Sequence, residues 1–308
     1  MQSLILPPPT PCRERRVLTI GGPSGGFGGL RGPKLGVSPM FGLRSRRTVG
    51  GMIYERVLVG FDGSPASERA LEQALALKAP HGRLQSLTVA ETYYATHAGM
   101  DARQWDAQLR ARAEDARRRA TAALEEVQGA GAAVTAGNAS QALLHDAERL
   151  DADLIALGAH GHSRLAGLLL GSVVTHVIHD ARCSVLVARG PETTNDFPRA
   201  IVVGIDGSDY SVRAAAVAEA LAAPKRARLR TLEAKSPVEA LVEASRTGDL
   251  VVVGTRGAHG IVSLGSVAER VAHQAECSVL IVREQQPAPR AHGRAERPSP
   301  EPRVRVAR

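Results

Sequence analysis

The sequence predicts an α/β protein made of two doubly wound parallel-sheet domains, the second short of about one strand–helix pair. Three observations carry this expectation. Short aliphatic runs such as VLVG (57–60) and LIAL (154–157) alternate with helical-period segments of ten or more residues, the pattern of parallel βαβ units. The chain also repeats itself: 57–64 (VLVGFDGS) recurs as 201–208 (IVVGIDGS), and 171–189 recurs as 265–283 with 11 of 19 positions identical. Finally, the second copy is compressed, with 48 positions from Asp206 to Gly254 against 96 from Asp62 to Gly158.

Each element follows from the local pattern. Strand one covers 56–60, and 67–78 carries apolar residues at helical spacing. Strand two is 84–90, followed by a long charge-laced helix over 106–128 with one apolar stripe. A short strand at 133–136 leads to a helix at 141–150, strand four at 154–158, a helix at 173–179 and strand five at 185–188. In the second copy a helix at 212–222 is followed by one strand, 228–234, and one helix, 237–246, before the strand at 251–254. Residues 191–198, polar and bounded by prolines, read as the linker between domains 52–190 and 199–283. The Gly/Pro/Arg-rich 1–51 and the Pro/Arg tail 284–308 read as disordered. Met52 directly precedes the first strand, so 1–51 is read as an over-extended start rather than a transit peptide.

The net charge of +8 suggests nucleic acid until it is located. Residues 1–51 carry +7 and 284–308 carry +3, so the stretch between them is slightly acidic and offers no DNA-binding surface. The Arg117-Arg118-Arg119 run has no interleaved aromatics and is read as a solvated helix face. Cys12, Cys183 and Cys277 show neither CxxC spacing nor a disulfide framework, as expected of reduced thiols in a cytoplasmic protein. No apolar run approaches the ~18 residues of a membrane span.

The chemistry is expected at Gly158-Ala159-His160-Gly161, nine residues, then Gly171-Ser172. A strand ending in glycine, a long loop and a Gly-Ser opening a helix make a phosphate cradle, because helix-start N–H groups and the dipole favour an anion. Asp62-Gly63-Ser64 stands at the end of strand one, and both segments lie at carboxyl ends of parallel strands, where such sheets bind ligands. In the second copy only seven residues separate Gly254-Thr255-Arg256-Gly257 from Gly265-Ser266. That loop is two residues short, so the second copy is expected to bind nucleotide poorly or not at all.

VLVGFDGS at the start, G-x2-G-x9-GS near the end and CSVLV as the last strand resemble the universal stress protein family, in a tandem arrangement. The resemblance implies Rossmann-like domains of strand order 3-2-1-4-5 that pair through strand five, here within one chain as a pseudo-dimer and in a further homodimer. It implies an ATP ligand or a related adenine nucleotide, with or without magnesium. Asp62 would sit beside the adenosine and Val89 would touch adenine. Gly158, Gly161, Gly171 and Ser172 would surround ribose and phosphates, helped by the backbone of Val173. Ser184 and Ser278 depart from the family, which usually has proline after the cysteine.

Asp206 repeats Asp62 beside the shortened loop and is read as a turn cap. His160, His162, His176 and His179 are read as neither metal ligands nor catalysts, since no acidic or cysteine ligand stands at metal spacing. Arg164 in the loop is a lesser candidate for reaching a phosphate. No residue set positions a water, a base and a divalent metal for phosphoryl transfer, so the expectation is a stress-response or regulatory binding protein and not an enzyme. The alternative is a nucleotide-independent signalling pseudo-dimer with a vestigial site. An adenylating enzyme ranks last, because GFDGS stands where its strand-one motif would be.

Overall fold

The computed structural model describes residues 54–91, 102–161, 170–190, 196–255 and 266–284. The expected disorder at 1–51 and beyond 284, and the linker's 191–195, lie outside the described residues. The first repeat runs β1 (Tyr54–Gly60), α1 (Pro65–Leu77), β2 (Lys78–Ala90), α2 (Ala102–Leu124), β3 (Ala130–Ala136), α3 (Ala139–Arg149), β4 (Leu154–Gly158), α4 (Ser172–Asp180) and β5 (Ser184–Ala188). The second runs β6 (Ala200–Gly204), α5 (Asp209–Lys225), β7 (Arg228–Leu232), α6 (Pro237–Ser245), β8 (Leu250–Gly254), α7 (Ser266–Gln274) and β9 (Ser278–Val282). The counterpart of α2–β3 is the pair that is missing.

Within the first repeat the strand order is 3-2-1-4-5, all parallel. The expected pairing through strand five is present within the chain: β5 pairs antiparallel with β9, the fifth strand of the second copy, and so joins the two repeats' parallel sheets into one nine-stranded sheet of order β3-β2-β1-β4-β5-β9-β8-β6-β7. Helices α1, α2 and α5 cover one face through Leu71, Ala116, Ala120, Ala218 and Leu221. Helices α3, α4, α6 and α7 cover the other through Leu143, Val177, Leu241 and Val271. Because both faces are covered, the inner strands β4, β5, β6, β8 and β9 are aliphatic along nearly their whole length, and β5 and β9 are buried at every position.

Several boundaries move for physical reasons. Helix α1 stops at Leu77 because buried Lys78 turns its ammonium onto the carbonyls of Ala79 (3.1 Å) and Gly82 (3.0 Å). That bond set closes a bulge at the start of β2, between the register pairs Tyr54↔Lys78 and Arg56↔Arg83. Strand β3 begins at Ala130 rather than 133, since its Ala-Gly-Ala start carries no strand signal of its own. With no neighbour beyond it, β7 ends the sheet and exposes Arg228, Arg230 and Thr231, a charged edge that discourages pairing with another chain.

The seam explains the two serines. The Ser184 hydroxyl accepts the N–H of Arg283 (3.3 Å), and Ser278 accepts that of Arg189 (2.9 Å). Ser278 in turn donates to Gln73 Oε1 at 2.7 Å, and Gln73 Nε2 donates to the Arg189 carbonyl at 3.2 Å. A proline at either position would abolish these bonds.

Cys183 and Cys277 immediately precede the seam strands as buried free thiols, and burial pushes the pKa of both up to about 12. An acid whose folded pKa lies above its unfolded value keeps its full contribution below the unfolded pKa and loses it as pH rises past that value. From pH 9 to 10 we expect a loss of about 1 kcal/mol per thiol, read from urea midpoints. An unchanged midpoint across that interval, or alkylation of either native thiol at pH 8, would contradict this account.

Candidate functional site

Strands β1 and β4 are direct neighbours, with Val57↔Leu154 and Val59↔Ala156 in register. Their carboxyl ends therefore deliver Asp62-Gly63-Ser64 and Gly158–Gly161 side by side. Asp62 Oδ1 accepts the Ser64 N–H at 2.9 Å, and the Ser64 hydroxyl caps α1 by accepting the Ser67 N–H at 3.2 Å. Asp62 Oδ2 lies 2.8 Å from where a Cβ on Gly161 would stand. The carboxylate and the loop glycine thus touch, and a side chain at 161 would drive into the carboxylate.

Val89 reaches the same end by register. Gly60 pairs with Leu87, and the Phe61 N–H donates to the Leu87 carbonyl at 2.9 Å, which brings Val89 level with Asp62. It is half-buried, against the face that α3 and α4 cover.

Gly171 joins α4 to β4, its N–H donating to the Ala159 carbonyl at 3.0 Å while Ala159 N–H donates to Ala188 at 3.1 Å. Helices α1, α3 and α5 are capped by side-chain oxygens of Ser64, Asn138 and Ser208, but α4 has only Gly171, no side-chain cap bond and no acidic residue in its first turn. The first-turn amides, at exposed Ser172 and half-buried Val173, are left without a side-chain acceptor. An anion is the group such a terminus accommodates.

Gly158 lacks a side chain for a different reason. A Cβ there would fall 2.5 Å from the carbonyl carbon of Ala66, because the end of β4 presses on the first turn of α1. Gly254 repeats this against Tyr210, at 2.2 Å from its carbonyl oxygen. Both repeats need this glycine for packing, whatever either binds.

One residue escaped sequence reasoning. Arg119 lies on the exposed helix face and still reaches the turn after β1: its Nη2 donates to the Gly63 carbonyl at 2.7 Å and its Nη1 to Glu68 at 3.1 Å. Gly63 has φ +76°, and a Cβ on it would meet the Arg119 guanidinium at 1.9 Å. The signal was available, since Arg119 flanks the buried stripe Ala113, Ala116 and Ala120. Arg117 and Arg118 do pair along the helix, with Glu114 and Asp115.

The histidines are engaged separately. His176 Nδ1 contacts the Ser172 carbonyl at 2.7 Å, and His179 Nε2 meets Glu269 at 3.2 Å. His160 stands beside Gly161, while His162 and Arg164 lie outside the described residues. Among the described residues no group of three His, Cys, Asp or Glu could hold a metal ion.

The second repeat keeps the turn and lacks the surroundings. Asp206 Oδ1 takes both the N–H and the hydroxyl of Ser208, at 3.0 and 2.6 Å, and these bonds, the hydroxyl's first, hold the carboxyl below its ordinary range. Gly207 has nothing within 4 Å of a Cβ, since no helix corresponds to α2. Register places Ala234 where the first repeat has Val89. The shortened loop itself, with Gly257 and Gly265, lies outside the described residues.

Fold and repeat together define a tandem Rossmann-like α/β protein. The family model for the universal stress protein family matches residues 53–189 and 233–283, more than half of the chain. The chain belongs to that family. It is 29% identical over 185 residues to universal stress protein Rv2623 of Mycobacterium tuberculosis, an alignment covering 44% of this chain and 62% of that protein's length. It is also 29% identical over 153 residues to universal stress protein Sll1388 of Synechocystis, covering 45% of this chain and 99% of the relative. A universal stress protein from Archaeoglobus fulgidus superposes with a TM-score of 0.59 at 19% identity, over 74% of this chain and 98% of that one. No helix among the described residues is long and apolar enough to cross a membrane.

Proposed function

We propose that the protein is a cytoplasmic ATP-binding regulator of a stress response. Its first repeat holds the nucleotide, and the bound state acts through conformation or partner choice rather than turnover. The observation that carries this reading is the meeting of Asp62 and Gly161 beside an α4 whose first turn lacks a side-chain cap. Asp62 keeps one oxygen on the Ser64 turn and directs the other to the glycine loop, as suits a carboxylate that accepts from ribose or adenine donors. The α4 amides and the Ser172 hydroxyl would hold phosphate oxygens, with Val89 against the base. Magnesium, where present, would be carried by the phosphates. When bound, the nucleotide supplies charge and shape; the protein's own groups position it and take no part in bond breaking.

The test is nucleotide extraction from purified full-length protein together with thermal shift in ATP. We expect about one adenine nucleotide per chain, and about 2.7 kcal/mol of added stability at 100 Kd. Asp62→Asn keeps an acceptor for Ser64 but loses the charge, and is expected to weaken binding by about tenfold. Wild-type protein that carries no nucleotide and shows no shift with ATP would end this reading. Two nucleotides per chain would overturn the assignment of binding to the first repeat alone. In the first of those cases the continuous seam favours a second reading, a pseudo-dimer that acts by its contacts alone.

A further inference from the structure

We propose that Arg283, contributed by the second repeat, is a positioning residue for the first repeat's nucleotide site, holding the carboxyl end of the helix whose amino end faces the phosphates. The inference rests on the reading of that site as a nucleotide site. Arg283 is 5% exposed, and its guanidinium donates from Nη1 to the Ala181 carbonyl and from Nη2 to the Ile178 carbonyl. Those two carbonyls belong to the last turn and C-cap of α4, where helical backbone acceptors have no partner of their own and a cation is favoured.

Helix α4 is nine residues long, so about 13 Å separates its two ends. At the amino end it is tied to its own repeat by the Gly171 N–H on the Ala159 carbonyl. At the carboxyl end it is tied to the other repeat by Arg283, with His179 on Glu269 beside it. Between these points Val174, Val177 and Ile178 are buried in the core that α7 shares. The helix therefore has little freedom to tilt: a shift at the Arg283 end displaces the amides that would meet a phosphate.

The internal repeat supplies a control. Arg189 occupies the matching position and reaches back to α7, but among the described residues its guanidinium makes one long bond, Nη2 to the His273 carbonyl at 3.5 Å. The two-bonded clamp thus grips the helix of the repeat with the nine-residue loop, and the looser one grips the helix of the repeat whose loop is shortened. Retention of the second repeat has a physical rationale here, since it completes a helix that the first repeat leaves open at one end.

The experiment compares full-length wild type, Arg283→Met, Arg283→Lys and Arg189→Met. ATP affinity is measured by calorimetry, and amide exchange across α4 and α7 without nucleotide. We expect Arg283→Met to weaken ATP by about tenfold and Arg283→Lys to recover part of that loss, while Arg189→Met stays within about twofold of wild type. Exchange should accelerate in α4 for Arg283→Met and in α7 for Arg189→Met. Wild-type affinity in Arg283→Met, or equal losses in the two methionine variants, would overturn the proposal. Should wild type bind no ATP, the site reading falls and the coupling falls with it. In that event the α4 exchange rates still decide whether Arg283 holds the helix.

Discussion

Replacing Gly158 with alanine is expected to destabilise the protein by about 3 kcal/mol, because the new methyl has no space and its neighbour is main chain. The Cβ would sit 2.5 Å from the carbonyl carbon and 2.6 Å from the carbonyl oxygen of Ala66. A flexible side chain can swing aside; the first turn of α1 cannot, since Ser64 caps it and the Glu68 N–H bonds the Ser64 carbonyl at 3.0 Å. Relief requires moving β4 away from α1, which disturbs the Asp62–Gly161 contact as well. Gly171→Ala is the natural comparison. Its Cβ meets nothing closer than 3.7 Å, and φ is −62°, so stability should change by less than about 1 kcal/mol. Urea midpoints for the two variants decide the matter. Equal stability for Gly158→Ala and Gly171→Ala would show that the close approach of β4 to α1 does not limit the fold.

The second large effect is expected at the seam. Leu186 and Leu280 face each other across the antiparallel β5–β9 pair, and both are fully buried. Truncating either to alanine should cost about 3 kcal/mol, the middle of the range for buried leucines. The more telling expectation is the shape of the transition. Because the sheet continues through β5 and β9, Leu280→Ala should lower the midpoint of the entire protein in one cooperative step. Circular dichroism and hydrogen exchange on β1 or β4 would read this directly. A variant in which the second repeat melts early while the β1 and β4 amides keep wild-type protection would refute a single cooperative unit.

The fold was largely legible in the sequence, because both faces of the sheet are buried and continuous aliphatic strands stand out. Strands β1, β4, β5 and β8 follow from the sequence to within about two residues for that reason. Strand β3 was shortened in the reading since alanine and glycine say little about strand formation, and the Lys78 bulge depends on side-chain bonds that no periodicity reveals. The seam serines looked incidental from sequence, because their partners, Arg283 and Arg189, are 99 and 89 residues away. At the site, Asp62 and Gly161 were paired by motif logic and do meet. Gly158 belongs with them by the same logic, while its packing against Ala66 arises from the tertiary approach of β4 to α1, which no local pattern reveals. The arginine run suggests a solvated surface, and Arg119 is exposed, but its bond to the Gly63 carbonyl depends on how α2 is set against the end of β1, which the sequence does not reveal.

The joining of β5 to β9 within one chain alters what mutation and dilution can do. Two separate subunits paired through the same strands would dissociate at low concentration, and every substitution would appear on both sides at once. Here the partner strand β9 (Ser278–Val282) lies on the same polypeptide, in a repeat whose first strand β6 begins at Ala200 soon after β5 ends at Ala188, so pairing is an intramolecular event governed by effective concentration. The assembly should persist at any abundance and should not exchange halves with relatives. Freed from enforced symmetry, one half was able to shed a helix and strand and to pair its Asp206 within its own turn, while the other kept the longer loop.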